Sequence, residues 1–232
     1  MTSFLLIPGA GGSAWYWHLV VRELTGRGHG ALAVDLPADD DSCGFAEYAD
    51  VVVSVAGDWG ERRDLVVVGQ SMGGFTAPLV CSPLSARLLV LLNAMTPRPG
   101  ESAGEWGTNT GSALARQVQA DRDGLPPDDD PQLRQTFFHD VPEAVTQEAF
   151  ARGEPDQSDT PFGRPWPLTA WPDVPTRFLA ATGDRLFPIE FQRRVVADRL
   201  PGVSVDEIEG GHLVALSRPL EVAQRLIAYA QA

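Results

Sequence analysis

The chain has 232 residues, and its 18 basic residues against 31 acidic ones give a formal net charge of −13. Every basic residue is an arginine, which excludes a P-loop lysine, a Schiff base to pyridoxal phosphate and a lysine general base. The isoelectric point of about 4.6 argues against nucleic acid as a partner, because phosphate contacts need clustered basic residues. Coding bias toward arginine is the simpler explanation for the missing lysine.

The length fits one domain with an insertion. The apolar run at residues 4–7 is too short for a signal sequence or a membrane span. We therefore expect a cytoplasmic protein without membrane contact, either a monomer or a homodimer. Cys43 and Cys81 lack CxxC spacing and the four histidines form no HExxH pair, so we expect no disulfide framework and no bound metal.

Short apolar runs predict six strands. In chain order they are residues 4–7, 31–34, 65–68, 88–92, 177–181 and 203–208. Most are continuous rather than alternating, which is typical of strands buried on both faces of a parallel sheet. Apolar residues with helical spacing occur at 45–56, between the second and third strands, and at 220–230, after the last strand. The pattern predicts a doubly wound α/β fold, with a mainly parallel sheet of about six strands and helices on both faces.

One long stretch interrupts this alternation and predicts an insertion. It shows no strong strand pattern, and two short helices are expected within it, over residues 132–138 and 142–150. We therefore predict an α/β core of residues 1–95 and 171–232 and a cap of residues 96–170. The acidic run at 128–130 lacks the spacing of a calcium loop, so a solvated loop is expected there.

Residues 65–74 have the sequence LVVVGQSMGG, and a helical pattern follows them. When Gly-x-Ser-x-Gly lies between a strand and a helix, it forms a tight turn that raises the serine hydroxyl above the sheet. Gly69 and Gly73 fit this turn because side chains there would collide. Ser71 is therefore the candidate nucleophile, the alternative being a helix N-cap.

A serine nucleophile needs a base to take its proton. The candidate is His212, which follows the last predicted strand at the carboxyl edge of the sheet, where Ser71 also emerges. The alternative is a loop histidine, and we expect structural roles for His18, His29 and His139. Asp184 follows the strand at 177–181 on the same edge and is the candidate acid, the alternative being an Asx turn.

Two backbone N–H groups are candidates to stabilise an oxyanion. They belong to Met72, directly after the nucleophile, and to Ala10, in the glycine-rich loop PGAGGS at residues 8–13. The rival interpretation of this loop, a phosphate cradle, has neither GxGxxG spacing nor a Walker lysine.

These motifs together resemble the α/β-hydrolase superfamily, in the branch of plant methyl esterases and hydroxynitrile lyases. The stretches that carry the resemblance are IPGAGGSAWYW at 7–17, GQSMGG at 69–74, GD at 183–184, GHL at 211–213 and LSRP at 216–219. The resemblance implies Ser71, Asp184 and His212 as a catalytic triad, Ala10 and Met72 as the oxyanion hole, and a cap over the site.

The chain also departs from this family. Pro8 stands where the family often has histidine, and Gln70 where histidine usually precedes the nucleophile. The lyases of this branch have a lysine after the catalytic histidine, whereas Leu213 stands here, which favours the esterases.

We therefore predict a serine hydrolase of small carboxylic esters that works through an acyl-enzyme and needs no cofactor. The alternatives are cleavage of thioesters, lactones or C–C and C–N bonds by the same triad, or a ligand-binding receptor with little turnover. We expect the substrate pocket to include Gln70, Trp106, Phe137, Trp166 and Leu213. The aromatic residues of the cap either form its roof or pack in the cap's own core: Trp106, Phe137, Phe138, Trp166 and Trp171.

Overall fold

A computed structural model describes residues 1–59, 64–125 and 132–232. The strands of this part of the chain form one sheet in the order β2-β1-β3-β4-β5-β6, and every neighbouring pair is parallel. The strands are β1 Ser3–Ile7, β2 Gly30–Ala33, β3 Leu65–Gln70, β4 Leu88–Leu92, β5 Thr176–Ala181 and β6 Val205–Ile208. The predicted fold class is confirmed. The acidic run at 128–130 lies outside the described residues.

Helices connect the strands. A short 3-10 turn, Ala14–Trp17, precedes α1 His18–Thr25, and the remaining helices of the described part are α2 Phe45–Asp58, α3 Gly73–Cys81, α4 Ala103–Thr110, α5 Ser112–Arg122, α6 Gln132–Phe137, α7 Glu143–Ala151, α8 Thr160–Gly163, α9 Ile189–Arg199, α10 Val214–Ser217 and α11 Pro219–Gln231. The helices predicted from spacing, α2 and α11, are present.

Apolar layers cover both faces of the sheet, which explains the continuous apolar runs. Along β1, Leu5 and Ile7 belong to one buried cluster, whereas Phe4 and Leu6 belong to the other. Each buried aliphatic or phenyl side chain contributes about 1.5–3 kcal/mol relative to an exposed one. Both faces therefore hold the sheet rigidly in place beneath its carboxyl edge.

The strand order places a crevice at that edge. The chain leaves β1 toward β2 on one side, while β3 lies on the other side of β1. Loops that leave neighbouring strands in opposite directions open a crevice in which α/β proteins bind ligands. The glycine-rich loop after β1 and the turn after β3 meet there.

The stretch between β4 and β5 is helical and includes α4 to α8. Its Trp106 and Trp166, expected in the substrate pocket, are instead core residues with 1% of their surface exposed. The Trp106 Nε1–H donates to the Thr96 carbonyl at 3.2 Å, and the Trp166 Nε1–H donates to the Phe75 carbonyl at 2.8 Å. The indoles point inward because the core buries their rings and backbone carbonyls bind their N–H groups. The division into core and cap stays a prediction.

Neither membrane-spanning nor metal-binding elements occur in the described ranges. No helix there is long and apolar enough to cross a bilayer, and no three His, Cys, Asp or Glu side chains are grouped to hold a metal ion. The cytoplasmic location and the oligomeric state stay predictions.

Candidate active site

Ser71 occupies a strained turn between β3 and α3. Its φ of +54° lies in the left-handed region, which non-glycine residues seldom adopt. The flanking glycines make this turn possible: a Cβ at Gly69 would lie 2.6 Å from the Gly73 carbonyl oxygen, and a Cβ at Gly73 would lie 2.6 Å from that of Pro8. The Ser71 carbonyl accepts hydrogen bonds from Gly74 N–H at 3.0 Å and Met95 N–H at 2.9 Å. These contacts fix the turn that presents the hydroxyl.

The structure brings Ser71, His212 and Asp184 together. His212 Nε2 lies 2.9 Å from Ser71 Oγ, and His212 Nδ1 lies 2.8 Å from Asp184 Oδ2. His212 is 1% exposed and Asp184 is 2% exposed. With its hydrogen on Nδ1, the imidazole donates to the carboxylate and its Nε2 accepts from the hydroxyl. This arrangement can remove the hydroxyl proton during attack on an electrophile.

Both interpretations of Asp184 hold at once. Its Oδ1 accepts from Leu186 N–H at 2.8 Å and from Phe187 N–H at 2.9 Å, which is the Asx-turn pattern. Its Oδ2 remains available to His212. The turn therefore orients the carboxylate that meets the imidazole.

Two side-chain amides hold the His212 backbone, and the sequence did not reveal this role for either. The His212 carbonyl accepts from Asn93 Nδ2 at 3.1 Å and from Gln70 Nε2 at 3.2 Å. Asn93 Oδ1 also accepts from Ala181 N–H at 2.6 Å. Asn93 is fully buried at the end of β4, with a φ of +46°. The sequence feature that could have indicated this role is the polar Asn93 directly after the apolar strand β4.

The insertion contacts both loops that carry the acid and the base. Asp140 Oδ2 accepts from Gly211 N–H at 2.7 Å, and His139 Nε2 lies 3.1 Å from the Gly183 carbonyl oxygen. A Cβ at Gly211 would lie 2.5 Å from Asp140 Oδ1, so a larger residue there would displace the Asp140 side chain. Burial, together with the nearby Arg185 charge, lowers the pKa of His139 below its usual value. The neutral form of His139 is thus favoured at this contact.

The glycine-rich loop turns tightly beside Ser71. Gly12 N–H donates to the Gly9 carbonyl at 3.1 Å, and Gly11 has a φ of +77°, so Ala10 and Gly11 form the centre of a type II turn. A Cβ at Gly9 would lie 2.8 Å from Ser71 Cβ, which shows how closely the turn approaches. Within the described part of the chain, the N–H groups of Ala10 and Met72 have no protein acceptor. Both can donate to a substrate oxygen.

A side chain of the insertion fixes this turn. Gln157 Oε1 accepts from Gly11 N–H at 3.0 Å, while Gln157 Nε2 donates to the Tyr48 hydroxyl at 3.2 Å and to the Ser158 carbonyl at 3.0 Å. Pro155 covers Gly11 so closely that a Cβ there would lie 2.6 Å from Pro155 Cγ. The sequence carried no signal for Gln157.

A cavity of about 400 Å³ opens onto Ser71 and His212. Of the pocket residues expected from the sequence, the structure places Gln70, Phe137, Phe138 and Leu213 in its lining, whereas Trp106, Trp166 and Trp171 lie outside it. The Phe137 ring also meets the His212 ring edge-on at 5.4 Å. The lining further contains residues that the sequence did not single out for the pocket: Tyr16, Ala149, Phe150, Glu154, Gln157 and Leu186.

The parallel sheet, the strained serine turn and the three aligned side chains define an α/β hydrolase. A profile described as the alpha/beta hydrolase family matches residues 4–225, and the chain belongs to this family. The family resemblance noted in the sequence is thereby confirmed.

Several named proteins are similar along nearly the whole chain. Probable esterase PIR7A of Oryza sativa subsp. indica is 28% identical, covering 97% of this chain and 95% of that protein. Polyneuridine aldehyde esterase of Rauvolfia serpentina is 24% identical, covering 97% and 94%. Among solved structures, an extracellular α/β-hydrolase from a Paenibacillus species superposes with a TM-score of 0.78 at 19% identity, covering 98% of each chain. A pyrethroid hydrolase of Sphingobium faniae JZ-2 gives 0.75 at 23% identity, covering 100% and 98%.

Proposed function

We propose that this chain is a serine hydrolase of small carboxylic esters, with Ser71, His212 and Asp184 as its catalytic triad. The observation that carries the proposal is the aligned chain of contacts, 2.9 Å from Ser71 Oγ to His212 Nε2 and 2.8 Å from His212 Nδ1 to Asp184 Oδ2. The esterase names of the similar plant proteins support the choice of carboxylic esters.

In the first half of the reaction, Ser71 Oγ attacks the ester carbonyl carbon while His212 Nε2 takes the hydroxyl proton. The tetrahedral intermediate then expels the alcohol, which receives that proton from His212. Asp184 stabilises the transient imidazolium and keeps the ring oriented. The product of this half is an acyl-enzyme with the acyl group on Ser71.

Water completes the cycle. His212 accepts a proton from a water molecule, whose oxygen attacks the acyl carbonyl. When this second tetrahedral intermediate collapses, His212 returns the proton to Ser71 Oγ, and the carboxylic acid is released. No cofactor enters this sequence, since nucleophile, base and water supply every proton and electron pair.

The N–H groups of Ala10 and Met72 would stabilise the negative oxygen of both tetrahedral intermediates. Their support is the close approach of the Gly9–Gly12 turn to Ser71 and the lack of a protein acceptor for either group in the described residues. A donor of this kind contributes about 3 kcal/mol to transition-state stabilisation.

The test is hydrolysis of a panel of alkyl and aryl esters by the purified protein and its Ser71→Ala variant. The variant should retain the fold and lose about 10⁴-fold to 10⁶-fold in kcat. Ser204→Ala, at an exposed serine in the loop before β6, is the matched control and should keep full activity. Near-normal turnover by Ser71→Ala would overturn the proposal.

A further inference from the structure

Among the described residues, the lining of the cavity beside Ser71 has more carboxylates than arginines. Its lining includes one carboxylate, Glu154, and among the described residues it includes no arginine, although the chain has 18 of them. Burial first, and then the negative charge of Glu154, raise the pKa of the Tyr16 hydroxyl above its usual value. Glu154 is exposed to solvent, and its charge acts on a hydroxyl that shares the cavity lining with it.

Aromatic rings form much of the remaining wall. Tyr16, Phe137, Phe138 and Phe150 all line the cavity. The face of an aromatic ring carries negative electrostatic potential and attracts cations, and groups of such rings recognise quaternary ammonium ligands. Rings combined with one carboxylate suit a bulky cation with an apolar surface.

Two arginines of the insertion lie over aromatic rings, one of them the Phe150 ring of this wall. Arg134 Cζ is 5.9 Å from the centre of the Phe150 ring, and Arg152 Cζ is 5.3 Å from that of Trp15. Arg134 pairs with Glu143, whereas Arg152 Nε lies 4.0 Å from Glu148. Neither arginine lines the cavity, so neither takes the place of a ligand cation beside Glu154.

We propose that this cavity selects ester substrates that carry an ammonium group, with Glu154 and the surrounding rings as the cation site. The inference rests on the proposed ester hydrolysis at Ser71 and adds the charge class of its substrate. The bond changes stay the same: the acyl–oxygen bond breaks, the acyl group passes through Ser71 to water, and the ammonium group keeps its charge throughout.

The kinetic test compares charged and uncharged esters of the same shape. One pair is choline butyrate and the ester in which a tert-butyl group replaces its trimethylammonium group. The second pair consists of two butyl esters, one with a trimethylammonium group and one with a tert-butyl group at the end of the acyl chain. Together the pairs probe both sides of the scissile bond.

In at least one pair, the charged ester should have a kcat/KM at least about fivefold higher than that of its uncharged isostere. A preference of this size corresponds to the energy of a partly desolvated cation–ring contact. Glu154→Gln should lower this ratio and leave only the part that the aromatic rings contribute. Asp156→Asn removes a neighbouring carboxylate that is exposed, as Glu154 is, but does not line the cavity, and it should leave the ratio unchanged. A ratio of one or less in both pairs, or an equal ratio in Glu154→Gln, would overturn the inference.

A binding measurement separates this inference from the proposed function. Phenyltrimethylammonium is titrated by calorimetry into the Ser71→Ala variant with and without Glu154→Gln, and Glu154→Gln should weaken binding at least about fivefold. If the wild-type protein hydrolyses neither ester while this difference holds, the hydrolase proposal fails and the cation site stands. If both members of each pair react equally, the hydrolase proposal stands and the cation site fails.

Discussion

The Asn93 side chain donates a hydrogen bond to the main-chain carbonyl of His212 at 3.1 Å, across 119 residues of sequence. The same amide accepts from Ala181 N–H at 2.6 Å, at the end of the strand that leads to Asp184. One buried side chain thus joins the loop of the proposed base to the loop of the proposed acid.

Replacing Asn93 with glycine tests the bridge. Glycine tolerates the φ of +46°, so the change removes the amide without adding backbone strain. Each buried polar group left unpaired costs about 1–3 kcal/mol, and the variant should lose stability in urea denaturation together with much of its kcat.

Gln70→Leu provides the comparison for Asn93→Gly. It removes the other donor to the His212 carbonyl, at 3.2 Å, but leaves Ala181 N–H paired. Its loss of stability should therefore be smaller. A larger loss for Gln70→Leu than for Asn93→Gly would contradict the role assigned to Asn93.

Gln157→Met tests the turn that presents the Ala10 N–H. Methionine matches the length of glutamine but cannot accept from Gly11 N–H, so the turn gains freedom next to Ser71. We expect kcat to fall about tenfold, corresponding to roughly 1.4 kcal/mol, while KM changes little. Gln147→Met is the control because Gln147 is exposed on α7 and bonds only to Glu143 among the described residues. A rise in KM at constant kcat would mean that Gln157 serves substrate binding instead.

The ion pair of Glu101 and Arg199 is buried, with side-chain exposures of 5% and 2%. Glu101→Leu would remove the buried partner of the Arg199 charge and leave it the contact of its Nε with the exposed Asp198 carboxylate at 3.3 Å. Breaking a buried ion pair by removing one partner costs about 3–5 kcal/mol. Glu143→Gln breaks the exposed pair with Arg134 and should cost far less stability, because solvent screens exposed ion pairs. Chemical denaturation measures both, and equal losses would refute the structural importance of the buried pair.

The same glutamate predicts how stability depends on pH. Burial by itself would raise the pKa of Glu101, but hydrogen bonds from Arg199, Asn109 and the Arg98 N–H outweigh it and hold the pKa below its usual value. A carboxyl whose pKa is lower in the folded state stabilises the fold above its unfolded pKa of about 4.3. This contribution should disappear as the pH falls through the lower folded value. In acid titrations of unfolding free energy, Glu101→Leu should show a shallower decline than the wild type, and parallel curves would argue against this linkage.

The parts of the molecule that sequence predicted well depend on local pattern. Continuous apolar runs gave the parallel strands, and the ends of those strands located Ser71, Asp184 and His212 at one edge, where the structure brings them together. Gly-x-Ser-x-Gly indicated the turn because steric limits at Gly69 and Gly73 are local.

The parts that sequence missed depend on contacts between distant segments. Asp140 meets Gly211 across 71 residues and Gln157 meets Gly11 across 146, and no spacing rule connects such pairs. Trp106 and Trp166 were expected in the pocket because aromatic residues in an insertion suggest a roof. Composition cannot tell which way an indole faces, and the carbonyls of Thr96 and Phe75 draw these two inward.

The most direct measurement of the central claim is covalent labelling with a fluorophosphonate, mapped by mass spectrometry of peptides. Such reagents modify a serine only where a base activates its hydroxyl, so the label should appear on Ser71 alone. It should be absent from Ser71→Ala and form far more slowly in His212→Ala, while Ser204→Ala labels like the wild type. A label on another residue, or equal labelling rates in His212→Ala and the wild type, would contradict the proposed mechanism.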